Sequence, residues 1–195
     1  MVDEVDQKRR EFLIKASTAM GTVGVLATAI PFVESMLPAE DVTSAGAPIK
    51  VDISQLKPGE QLTVMWRGRP IWIIYRTQEA LASLSKDEAL LRDPESTEDQ
   101  QPPYARNRFR SIKPEFLVLV GICTHLGCIP TYRPDPGSIS QNWPGGFFCS
   151  CHGSKFDMAG RVFKGVPAPI NLEVPHYSFM NDATLLIGVD PTNKA

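Results

Sequence analysis

The hydrophobic pattern divides the chain into two kinds of material. Residues 16 to 33, ASTAMGTVGVLATAIPFV, carry no charge, with Lys8, Arg9, Arg10 and Lys15 before them and Glu34, Glu40 and Asp41 after. As a helix this run rises about 27 Å, just short of a hydrocarbon core of roughly 30 Å, and Phe12, Leu13 and Ile14 lengthen it if Lys15 snorkels. The pattern predicts one membrane-spanning helix. Basic residues precede it and acidic ones follow, which places the N-terminus in the cytoplasm and the body of the chain outside. Ala27-Thr28-Ala29 has the small residues of a cleavage site. The apolar run continues through Ile30, Phe32 and Val33, longer than a cleaved signal needs, so a retained anchor is expected.

From Ile49 onward the pattern shortens to β-type runs: IKVDI, QLTVMW, PIWIIYR, EFLVLVGI, GGFFC, RVFKG, HYSFM and ATLLIGVD. KPGE, RGRP, PDPGS and NDA punctuate them as turns. The expected fold is mainly β, an antiparallel β-sandwich behind a single N-terminal transmembrane helix. TQEALASLSKDEALL interrupts with helical spacing at Ala80, Leu81 and Leu84, then at residues 89 to 91. With the polar, Pro-rich stretch that follows, residues 77 to 113 read as a helix-and-loop insertion. Residues 38 to 48, PAEDVTSAGAP, are small and polar and read as a flexible hinge reaching at most roughly 36 to 40 Å. The domains are then 1 to 37, 38 to 48 and 49 to 195.

Composition adds exclusions. A length of 195 residues with 43% hydrophobic content supports one ordinary domain plus an appendage. Twenty basic and 22 acidic side chains give a net charge of -2, so no global basic field invites nucleic acid.

The chemistry is concentrated in two boxes, CTHLGC and CSCHGS, which hold all four cysteines and two of the three histidines. Three readings compete. A zinc site would take two Cys and two His, though finger spacing pairs like with like, whereas each box here mixes the types. A disulfide scaffold accounts for the cysteines in an oxidising compartment and leaves His125 and His152 unexplained. A [2Fe-2S] centre accounts for all six residues, because its two irons can be ligated unequally by thiolates and imidazoles.

CTHLGC and CSCHGSKFD, followed by GVPAP, resemble the cluster boxes and proline loop of the Rieske iron-sulfur protein of bacterial quinol:cytochrome c oxidoreductase, respiratory complex III. The resemblance covers the whole chain, anchor and hinge included. It implies one Rieske-type [2Fe-2S] cluster, bound within about residues 122 to 170. Cys123 and Cys149 would ligate one iron and His125 and His152 the other, while Cys128 would bond Cys151. Leu126 would shield the histidine-ligated iron, and the Ser154 hydroxyl would donate to a bridging sulfide. Gly165, Pro167, Ala168 and Pro169 would cover the third side, with Val166 lengthening the commoner loop. Phe156 stands where many respiratory members carry a tyrosine whose hydroxyl tunes the cluster. His176, by contrast, reads as structural or surface, and Trp66, Trp72, Trp143, Phe147 and Phe148 read as core.

The function implied is that of an electron-transfer subunit. The cluster would take an electron and a proton from ubiquinol through His152, with His125 beside it at the tip. It would then pass the electron to a membrane-anchored c-type cytochrome, contributing to proton translocation. A b-type cytochrome in the same dimeric complex would take the second electron. Arg9-Arg10-Glu11-Phe12-Leu13 resembles the twin-arginine export signal, which suits a cluster assembled before crossing the bacterial inner membrane to the periplasmic side. The nearest redox alternative is the small Rieske subunit of an arsenite-oxidase-type enzyme. From another class, the alternative is a zinc-stapled binding module.

Overall fold

A computed structural model describes residues 2 to 37 and 46 to 191, which fall into two compact units. The apolar N-terminal run forms α1, Val2–Glu34. Within it, Asp6–Glu34 contains an 18-residue window with a mean hydropathy of 1.5 and is long and apolar enough to cross a membrane. Two hydroxyls of this stretch bond back onto the helix. The hydroxyls of Thr22 and Thr28 donate to the carbonyls of Thr18 and Val25 at 2.8 and 2.9 Å, the arrangement an apolar solvent requires. Ala27, Thr28 and Ala29 lie within the continuous helix.

Among the described residues, the second unit carries nine strands in three antiparallel sheets of three. β1 (Ile49–Asp52), β9 (Thr184–Ile187) and β8 (Tyr177–Asn181) form one, with β9 central. β2 (Gln61–Trp66), β3 (Arg69–Tyr75) and β4 (Phe116–Val120) form the second. β5 (Thr131–Arg133), β6 (Gly146–Cys149) and β7 (Ser154–Phe156) form the third. The β2–β3 hairpin turns through Arg67 and Gly68, both at positive φ (51° and 69°), the primed turn that matches strand twist. In β3, Ile71, Trp72, Ile73 and Ile74 are all buried, because the strand is central and covered on both faces. Trp72 stacks on Phe147 at 5.3 Å, which joins the second sheet to the third. One cluster of buried side chains runs through all three sheets, including Tyr177, Leu185, Phe156, Cys123 and Cys149. Trp66, Trp143 and Phe147 are buried as expected, and Phe148 is half-buried.

Two departures from the sequence reading have physical causes. RVFKG does not form a ladder; Val162 and Phe163 make isolated bridges to Phe156 and Leu91. The Val162 N–H is taken by the Asn171 side chain instead of a neighbouring strand. The helical pattern of the insertion yields only α2, Gln78–Ser83, capped by the Thr77 hydroxyl accepting from the Ala80 N–H at 3.2 Å. Residues 88 to 90 form a separate single turn.

The polar part of the insertion is not a solvated loop. Ser96, Gln101, Arg110 and Ser111 are buried, and so are Arg76, Asp157 and Arg161 outside it. Arg76 donates to the carbonyls of Phe109, Met158 and Pro114 and to the Ser111 hydroxyl. Arg161 pairs with Asp157 at 2.7 Å and reaches the carbonyls of Leu84 and Pro94. Most of the expected hinge, residues 38 to 45, lies outside the described residues. Its last part is held: the Gly46 carbonyl accepts from Arg67 and the Ala47 carbonyl from the Trp66 indole.

Candidate metal centre

The two boxes are two loops at strand ends. The first follows β4 and is a tight turn. The Gly127 N–H donates to the Cys123 carbonyl at 3.0 Å and the Cys123 N–H to the Cys128 carbonyl at 2.7 Å. The second is the four-residue connection of the β6–β7 hairpin, in which Cys149 pairs with Ser154. Gly153 closes it with an N–H donated to the Cys149 carbonyl at 2.9 Å. Gly127 and Gly153 sit at φ 81° and 79°, a left-handed turn that a side chain would strain, one in each box.

Cys128 and Cys151 form a disulfide that fastens one loop to the other, the pairing the resemblance implied. The sulfurs of Cys128, Cys149 and Cys151 all lie within 4.8 Å of one another. Cys123 and Cys149 remain thiols and are buried, each about 2% exposed. Burial pushes the Cys149 thiol up, the N–H groups of Cys151 and His152 pull it down, and the Cys123 thiol beside it pushes it up again. The rings of His125 and His152, one from each loop, stand edge to face with centroids 4.7 Å apart. His152 is exposed and His125 half-buried, and the buried Nδ1 of His125 has no hydrogen-bond partner. Leu126 is 71% exposed at the same tip, with Ile129 nearby in sequence at 64%.

Behind the loops, Ser154 and Phe156 are fully buried on the same face of β7. The Ala168 N–H donates to the Ser154 hydroxyl oxygen at 3.0 Å, which leaves the hydroxyl proton free to point elsewhere. The Thr124 hydroxyl donates to the Ile170 carbonyl at 2.7 Å, so residues 168 to 170 touch both boxes. The sequence reading missed Thr124, although it lies inside the first box. His176 is apart from this group, with its Nδ1 2.6 Å from Asp190 at the surface.

Residues 49 to 178 match the family model described as the Rieske [2Fe-2S] domain. The chain belongs to the Rieske iron-sulfur family. Residues 2 to 39 match a second model, described as "Ubiquitinol-cytochrome C reductase Fe-S subunit TAT signal". The ubiquinol-cytochrome c reductase iron-sulfur subunit of Allochromatium vinosum is 52% identical over 188 residues, covering 95% of this chain and 91% of that one. Its counterpart in Rhodospirillum rubrum is 45% identical over 186 residues, covering 94% and 93%. A chain of a hyperthermophilic respiratory complex III aligns with a TM-score of 0.49 and 26% identity, over 86% of this chain and 94% of its own. This Rieske protein is thus a subunit of a ubiquinol-cytochrome c reductase of the bc1 type, and its cofactor is a Rieske-type [2Fe-2S] cluster. The apolar helix and twin-arginine signal fit a membrane-anchored bacterial subunit.

The residues present fit that group. Two buried thiols side by side, two imidazoles edge to face and an unpartnered buried imidazole nitrogen are a donor set of the mixed type.

Proposed function

We propose that Cys123 and Cys149 hold one iron and His125 and His152 the other, and that the chain relays electrons from ubiquinol to a c-type cytochrome of the same complex. The observation that carries this is the donor set itself. Its thiols are buried and its imidazoles sit at the rim, His152 exposed and His125 half-buried. When bound, the cluster supplies one-electron chemistry at a potential in the range of about -150 to +300 mV, raised because two neutral imidazoles replace two thiolates.

The protein's own groups divide the remaining work. His152 is exposed, so a quinol hydroxyl can hydrogen-bond to its ring, and the nitrogen not on iron can hold the proton. Leu126 and Ile129 supply an apolar rim that excludes water from that contact. The Ser154 hydroxyl, with its oxygen already accepting from Ala168, has its proton available for the sulfur side of the site. The disulfide holds the two halves of the donor set together.

Around this site the arrangement we infer is a single-pass anchor in the bacterial inner membrane, with a cytoplasmic N-terminus and the Rieske domain periplasmic. The expected hinge, residues 38 to 48, would be the tether between a quinol-proximal and a cytochrome-proximal position. The partners are a b-type and a membrane-anchored c-type cytochrome within a dimeric complex, with proton translocation as the outcome. The domain boundaries follow, with anchor, tether and cluster domain in that order.

Electron paramagnetic resonance on the reduced full-length chain tests the ligand assignment. A mixed Cys/His [2Fe-2S] signal that disappears in Cys149→Ser and in His152→Ala supports it. A signal unaffected by either substitution, or a colourless zinc-loaded protein, refutes it. Co-purification with b- and c-type haem tests the partners.

A further inference from the structure

The loop that follows the second box is fastened at both ends. At its near end Ala168 bonds Ser154 and Ile170 bonds Thr124, as described above. At its far end stand Asn171 and Leu172, both fully buried. The Asn171 side-chain oxygen accepts from the Val162 N–H at 2.8 Å, and its amide donates to the Asp93 carbonyl at 3.1 Å and the Ser96 hydroxyl at 3.3 Å. The Leu172 N–H donates to the Gly160 carbonyl at 2.8 Å. The Leu172 carbonyl accepts from the Arg110 guanidinium at 2.6 Å, and the same guanidinium reaches the carbonyls of Ala159 and Gly160 and the Gln101 side chain.

Asp93, Ser96, Gln101 and Arg110 all belong to the insertion between β3 and β4. Two of them, Ser96 and Arg110, are held at φ 53° and 51°, where a side chain is strained, and both are fully buried. Strained backbone persists where surrounding contacts over-determine it, so this anchorage is rigid. A buried guanidinium spending its donors on four acceptors, three of them main-chain carbonyls, fixes loop positions more strongly than packing alone.

We propose that Asn171 and Arg110 are positioning residues for the metal centre, through which the insertion fixes Ala168 and thereby the direction in which Ser154 points its hydroxyl proton. The chain of contacts runs from Arg110 and Asn171 to the loop, from Ala168 to Ser154, and from Ser154 to the group held by the two boxes. This rests on the ligand assignment above. The insertion therefore acts on the potential of the centre without touching it.

The test is a potentiometric titration of the full-length chain carrying its cluster, for Asn171→Ala, Ser154→Ala and the double variant. The expected result is a shift to lower potential in each single variant, with the double variant equal to Ser154→Ala alone, because both act through one hydroxyl. Shifts that add in the double variant, or an unshifted potential in Asn171→Ala, overturn the proposal. Should Asn171→Ala fail to assemble, Ser96→Gly removes one Asn171 partner while relieving its strained backbone, and the same comparison with Ser154→Ala decides. The ligand assignment fails separately, by absence of the mixed-ligand signal in the unaltered protein.

Discussion

Cys128 and Cys151 are bonded to each other across 23 residues of sequence, one from each box, while their neighbours Cys123 and Cys149 stay reduced and buried. The bond closes a loop that contains β5 and β6 and lies entirely inside the cluster-binding part. By the chain-entropy account, closing such a loop contributes about 3 kcal/mol. The paired substitution Cys128→Ala with Cys151→Ala is expected to lower the unfolding free energy by a corresponding amount, with a steeper denaturant slope because the unfolded chain expands. Equilibrium unfolding monitored by Trp fluorescence checks this.

Phe156 lies opposite Phe147 in the β6–β7 register and shares its face of β7 with Ser154. Phe156→Tyr places a hydroxyl on the buried face that Ser154 already occupies. One added hydrogen bond to a ligand sulfur, net about 0.5 to 1.5 kcal/mol, corresponds to roughly 20 to 65 mV for one electron. The variant should titrate at a higher midpoint potential. A potentiometric curve superimposable on that of the unaltered protein would show that the hydroxyl finds another partner.

The pair Asp157–Arg161 is fully buried, and Asp157 also accepts from the N–H groups of Ala159 and Arg161 at 2.9 and 2.7 Å. Asp157→Ala leaves a buried guanidinium unpaired and should cost about 3 to 5 kcal/mol. The Arg69–Glu173 pair, by contrast, has both side chains about 40% exposed or more. Glu173→Gln should cost under about 1 kcal/mol. Parallel urea titrations of the two variants distinguish these outcomes.

Lys113 holds Asp182, in the β8–β9 turn, at 2.7 Å, and lies 4.5 Å over the Phe179 ring. The hydrogen bond and charge of Lys113 lower the Asp182 carboxyl from its ordinary value. The sign follows from linkage: the pairing stabilises the fold above the unfolded carboxyl pKa and is lost as pH falls through the depressed one. In Lys113→Gln the Asp182 titration should move upward toward the ordinary carboxylate range, read by its side-chain carbon resonance.

How much of this was legible beforehand depended on whether the signal was local. The anchor and both boxes were readable because spacing within a few residues carries them, and the structure sets the Cys123 thiol beside Cys149 and the His125 ring against His152. β5 and β7 were not, since three residues are too few to show a period, and β7 is concealed within the second box. The burial of Arg76, Arg110 and Arg161 was invisible for a different reason. Charged side chains read as solvent-facing until the acceptors are known, and theirs are mostly carbonyls of distant loops, such as Arg110 with Leu172. Asn171 sits two residues beyond the quoted proline loop, and nothing in its type announced that it would bind Val162, Asp93 and Ser96 at once.

The carbonyls of Gly46 and Ala47 are gripped by Arg67 and by the Trp66 indole, just before β1 enters its sheet beside β9. A pull on the chain from its N-terminal side is thus taken up by a side-chain clamp on the β2–β3 turn. The load does not fall first on the outermost rung between Ile49 and Ile187. Peeling β1 from β9 would have to break that clamp first.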